Sequence, residues 1–242
     1  MTKFASRIAT CAAAGLLAAP AFAATGTVTF DFAHLAGTAG DFRPSEVLNQ
    51  GYWSCTGNDL CSSNVDHGVL GGDLKYTAGG IGVAATGWYH SGNTYNQVSV
   101  MQDHEPAYNA ARQIGAGLGV YHRTNDNSDD NITANEKLVL TFNRNVKLSG
   151  LILRSDGHDT SWSSNSTFLF NGFSTNLSGT ISNLNLIGRT FTFEYGGRKA
   201  DQFYLGGVVV SAVPEPETYA MMLSGLAALG LIARRRKAKA AA

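Results

Sequence analysis

Apolar residues recur at every second position in several short segments of the chain, and no segment of ten or more residues in its central part shows the 3.6-residue spacing of an amphipathic helix. In TVTFDF, residues 27–32, Val28, Phe30 and Phe32 share one face. In EKLVLTF, residues 136–142, Leu138, Leu140 and Phe142 do the same, as do Phe191, Phe193 and Tyr195 in RTFTFEY. Successive side chains of a strand point to opposite sides, so each segment is expected to be a strand with one buried face. VKLSGLILRS, STFLF before the turn pair Asn171-Gly172, and DQFYLGGVVVSAV add further strands. AYNAARQI has room for only one or two helical turns. Short strands separated by Gly, Asn and Ser, over about 190 residues, predict an all-β antiparallel sandwich of jelly-roll kind.

Two segments break this pattern, one at each end. The first, MTKFASRIATCAAAGLLAAPAFAATG, places Lys3 and Arg7 before an apolar run over residues 8–17 and then Ala21-Phe22-Ala23 in the small-x-small order of a cleavage site. Such a segment is a secretory signal peptide, with cleavage expected after Ala23 and export as its consequence. The second runs AVPEPETYAMMLSGLAALGLIARRRKAKAAA. Residues 218–233 carry no charge, and as a helix these 16 residues reach about 24 Å against a hydrocarbon thickness of roughly 30 Å. Local thinning and snorkelling arginines make a single transmembrane helix the expectation, with Arg234, Arg235, Arg236 and Lys237 fixing the C-terminus in the cytoplasm. The chain therefore divides into a signal peptide (1–23), a β domain (24–212) and a C-terminal segment (213–242).

Removing the basic ends changes the charge picture. The whole chain is neutral, with 18 basic and 18 acidic residues, but positions 24–213 keep 11 basic against 16 acidic residues, a net of −5. A body with a net negative charge is not expected to seek nucleic acid, whose phosphates call for a positive surface.

Export also decides how Cys55 and Cys61 in WSCTGNDLCSSN are read. In an oxidising compartment two cysteines across five residues, among them Gly57, Asn58 and Asp59, are expected to form a disulfide; His67 alone does not complete a zinc site.

The order Val213-Pro214-Glu215-Pro216-Glu217, then a short apolar helix, then the basic cluster, resembles the PEP-CTERM sorting signal of exported bacterial proteins, over about 30 of 242 residues. That resemblance implies processing near Pro-Glu-Pro by an exosortase-like membrane protease, a transient stay in the inner membrane, and delivery to the cell surface or to the extracellular polysaccharide matrix of a biofilm. Two prolines hold the segment extended and remove backbone donors, as a processing site requires. A looser resemblance to the β-rich region that precedes such signals covers Gly117-Leu118-Gly119-Val120, Asp129, Asp130, Asn131, Glu136 and the strand from Leu138 to Phe142.

Three further features are candidate sites. From Asn125, oxygen-bearing side chains fall at alternate places and include Asn127, Asp129 and Asn131, with Glu136 twelfth; the spacing approaches a calcium loop, although Asn stands first and Asp130 occupies the glycine position. Calcium is therefore a candidate cofactor and a solvated acidic loop the alternative. Trp53, Trp88 and Trp162 lie on polar or Gly-rich segments, where an exposed ring stacks on a sugar face. His158 lies between Asp156 and Asp159, but none of the six histidines falls in a ligand-pair spacing, and no nucleophile motif is present. The expectation is a non-enzymatic surface or matrix protein with a structural or carbohydrate-binding β domain. The alternatives are a secreted carbohydrate-active hydrolase and a permanently anchored envelope protein.

Overall fold

The computed structural model describes residues 26–33, 66–69, 73–103, 116–122, 131–214 and 216–240. The signal peptide, the Cys55 and Cys61 pair, Trp53, Asn127, Asp129 and the AYNAARQI segment lie outside the described residues.

Eleven strands and one helix follow in order: β1 (Thr27–Asp31), β2 (Asp66–Val69), β3 (Asp73–Ala78), β4 (Ile81–Ser91), β5 (Thr94–Asp103), β6 (Gly117–Tyr121), β7 (Glu136–Arg154), β8 (Thr167–Phe170), β9 (Phe173–Asn176), β10 (Thr180–Glu194), β11 (Tyr204–Ala212) and α1 (Pro216–Ala240). All paired strands are antiparallel. The all-β body is as expected from the alternation, but its arrangement differs from a jelly roll. All eleven strands belong to one hydrogen-bonded sheet, and five of them, β4, β5, β6, β11 and β7, close on themselves as a small barrel.

The reason lies in β7. Residues 136–142 pair with β4 and residues 146–154 pair with β11, while β10 follows the other edge of β7 past both. EKLVLTF and VKLSGLILRS are thus halves of one 19-residue strand rather than two strands. It turns at residues 143–145, between the start of β4 and the end of β11. Its two ends converge, since the side-chain amide of Asn131 donates to Asp156 at 2.8 Å and Ile132 bridges to Phe203.

Even-numbered residues Leu138, Leu140, Phe142, Val146 and Leu148 face the core, and then the phase changes to Leu151 and Leu153. The change falls at Ser149, which is skipped between the pairs Leu148–Val210 and Gly150–Val209 and whose hydroxyl donates to the Val209 carbonyl at 3.1 Å. It is a β-bulge, and it lets one strand serve both walls of the barrel.

The ring closes where β6 meets β11, through the single pair Leu118–Leu205. The approach depends on Gly117, at φ 118°, where an added Cβ would come within 2.4 Å of the Leu205 carbonyl oxygen. Only glycine tolerates both the dihedral and the contact. In the hydrophobic core, aromatic rings form an edge-on chain from Phe30 to Phe142 (6.1 Å) and from Phe142 to Phe191 (6.0 Å). The buried hydroxyl of Tyr76 donates to Gln102, whose amide donates to the Phe32 carbonyl, so this polar intrusion is satisfied.

Candidate functional site

The C-terminal segment leaves the barrel without a linker. β11 pairs with β7 through Ala212, and the next residue, Val213, still donates its N–H to the Asn145 carbonyl at 3.1 Å. Pro214 has no N–H, so the ladder ends there. Pro216 opens α1 at the position where its missing donor costs nothing and its fixed φ favours the helix. The stretch from Pro214 to Pro216 is thus limited by sheet on one side and helix on the other.

α1 has no packing partner on the barrel along its apolar part. Met221, Met222, Leu223, Leu226, Leu229 and Leu231 are all more than half exposed. Leaving such side chains in water forfeits roughly 1.5–3 kcal/mol each relative to burial. No helix among the described residues is long and apolar enough to cross a membrane, and the expected transmembrane helix is not shown. α1 is 25 residues long, but its uncharged part is only residues 218–233, and within it Thr218, Tyr219, Ser224, Gly225 and Gly230 dilute the hydropathy. Arg234 is exposed.

Of the candidate calcium residues, Asn131 and Glu136 lie among the described residues. Asn131 is fully buried and its amide serves Asp156. Glu136 is buried at the start of β7, where its carboxylate accepts from the Thr133 N–H at 2.8 Å and the Thr133 hydroxyl at 3.2 Å. The geometry closes the turn 133–136, with Asn135 in the left-handed region at φ 69°.

The tryptophans also separate. Trp162 packs against the core and donates its indole N–H to the Gln202 carbonyl at 3.2 Å. Beside it lies a shallow depression of about 440 Å³ that also contains Asp156, Asp159 and Asp201. Those carboxylates have structural tasks: Asp159 accepts from Ser155 and from the Ser161 N–H, and Asp201 accepts from Ser166. His158 lies with its ring edge-on to Tyr204, at 5.6 Å. Trp88 stands elsewhere, on the outer face of β4, opposite Gln97 of β5 and Lys137 of β7, with its indole N–H donating to Thr86 at 3.0 Å.

Around Trp88 the outer face carries a cluster that spacing in the sequence does not show. Tyr95 pairs with His90 across the β4–β5 hairpin, and their rings are 4.9 Å apart. The Lys137 ammonium sits 3.3 Å from the centre of the Tyr95 ring, and the Tyr95 hydroxyl donates a short hydrogen bond to Glu194. Partial burial and the Glu194 carboxylate together push the Tyr95 phenol up to about 12. On the adjacent edge, Tyr89 and His122 stack with centroids 3.3 Å apart, and burial lowers the His122 pKa. The only sequence signal for this cluster is alternation: outer-face positions of adjacent strands become neighbours once the register is known.

Comparison with known proteins finds no curated protein and no solved structure that matches the chain. A family model does match at residues 212–237, and it is that of the PEP-CTERM protein-sorting motif. It begins at Ala212, the last residue of β11, and ends at Lys237 in the basic cluster. This is an exported chain that carries at its end a PEP-CTERM protein-sorting motif, the tag of proteins sorted by an exosortase.

Proposed function

We propose that the β barrel is a non-enzymatic cargo that the motif delivers to the cell surface or extracellular matrix, where its outer face around Trp88 binds polysaccharide. The observation that carries the sorting part is the coincidence of the matched motif with the end of the last strand: the sheet ends at Val213 and the helix begins at Pro216, so the motif starts where the folded body stops. An exosortase-like membrane protease is the partner at that segment, and α1 holds the chain at the inner membrane until processing.

The carbohydrate part is supported by the Trp88 surface. It offers an indole with Tyr95, His90, Gln97, Lys137 and Glu194 around it, a mix of apolar ring and polar donors that suits a sugar. Calcium at the loop before β7 would rest on Asn127 and Asp129, since Asn131 and Glu136 are engaged in the fold. Incubating the mature chain with extracellular polysaccharide tests the cargo role. Binding without release of shorter sugars, weakened about tenfold by Trp88→Ala, supports it; product formation would make the protein a hydrolase.

A further inference from the structure

Both ends of the described body leave the barrel at one rim. Thr27 lies directly opposite Ser211 on the antiparallel β1–β11 pair, so the chain enters β1 beside the point where it departs for the sorting motif. The same rim holds the β7 turn at residues 143–145, bonded to Val213, and the β3–β4 turn, where a Cβ on Gly79 would meet the Val28 side chain at 2.6 Å. Chain reach from Val213 to Pro216 is about 10 Å even when fully extended. Whatever surface holds α1 is therefore in reach of this rim.

Charge is distributed unevenly between the two ends of the barrel. The motif rim carries Lys75, Arg144, Lys147 and Arg189, against Asp73, which is 3.4 Å from Lys75. The opposite rim gathers Asp156, Asp159 and Asp201. Within the basic rim, Ile187 is 66% exposed directly opposite Lys147, and Leu186 beside it is 37% exposed. Phe173, 77% exposed, opens β9 just after the turn Asn171-Gly172, whose Asn171 accepts from the Thr192 N–H, three residues along β10 from Arg189. Cations interleaved with exposed apolar side chains are the composition of an interfacial surface, in which the charges meet lipid phosphates and the apolar groups enter the headgroup boundary.

We infer that this rim docks on an anionic lipid surface, so that the body rests on the membrane with its motif side down while the segment around Pro214 awaits processing. The inference rests on the sorting reading for its membrane but not for its test, which needs no processing enzyme. The unprocessed chain from residue 24 onward, with α1 intact, is placed in vesicles of phosphatidylcholine with about one-third phosphatidylglycerol, and in vesicles of phosphatidylcholine alone. Amide hydrogen exchange is then compared. Residues 143–145 and 188–190 are expected to be protected only in the anionic vesicles and to lose that protection in high salt, whereas residues 155–163 at the other rim exchange equally in both. Each charge near such a surface is worth about fivefold, so Arg144→Gln with Lys147→Gln lowers the docked-to-free ratio by about 25-fold, with α1 unaltered. Equal protection in both vesicle types, or full protection in the double variant, overturns the inference. Protection that depends on protein concentration and not on phosphatidylglycerol assigns the rim to a second copy of the chain and overturns it as well. Replacing Pro214 and Pro216 by Ala, which alters no charge, should leave docking unchanged, which separates this result from any failure of the sorting reading.

Discussion

The N–H of Val213 donates to the carbonyl of Asn145, so the sheet extends one residue into the sorting motif and stops only where proline removes the next donor. A folded body and a processing segment are therefore contiguous.

Closure at Gly117 is the most sensitive point of the barrel. Gly117→Ala places a methyl against the Leu205 carbonyl at a backbone angle unsuited to L residues, and should cost at least about 1–3 kcal/mol. Phe142→Ala opens a cavity in the aromatic chain and should cost about 3–5 kcal/mol. Denaturant melts of the mature chain measure both. A neutral Gly117→Ala would mean that β6 does not close the ring.

Tyr95 gives the outer cluster a pH signature. Its folded pKa of about 12 lies above the ordinary phenol value of 10, so its contribution to stability is complete below about pH 10 and is lost as pH rises toward 12. Thermal melts from neutral to alkaline pH should fall more steeply for wild type than for Tyr95→Phe. At neutral pH the substitution should cost less than about 1 kcal/mol, because the group is partly in solvent. Identical slopes would remove the Tyr95–Glu194 bond from the account.

Glu136 separates a structural acid from a metal ligand. Since its carboxylate closes the 133–136 turn, Glu136→Ala should cost about 1–3 kcal/mol, and by the same amount with and without millimolar calcium. A melt in which calcium stabilises wild type and not the variant would make Glu136 a ligand instead.

Local chemistry was legible in the sequence, and long-range closure was not. Phe30 and Phe32, Leu138 to Phe142 by alternate residues, and Phe191 with Phe193 all face the core as their period-two pattern requires. The sorting motif was legible for the same reason, because proline, apolar run and arginines act within 30 consecutive residues. The jelly roll was not realised because alternation fixes which face is buried and leaves open which edge pairs with which. β7 illustrates this: EKLVLTF and VKLSGLILRS look in the sequence like two strands separated by residues 143–145, and the bulge at Ser149 that reverses the phase of the second is not visible there. The β4–β5 hairpin was passed over because GVAATGWYH alternates small residues, whose burial signal is weak. Tyr95 and Glu194 are 99 positions apart, and only the β4, β7 and β10 register brings them together.

The claim that matters most is that Pro214, Glu215 and Pro216 are a processing signal and not a linker to an anchor. Replacing all three with Ala leaves the signal peptide and the apolar length of α1 unchanged, so export should be intact while release fails. Cell fractionation with intact-mass measurement decides the matter. Wild type is predicted at the surface or in the medium without α1, and the variant in the inner-membrane fraction at a mass that includes α1. A variant that is shortened and released like wild type would contradict the account.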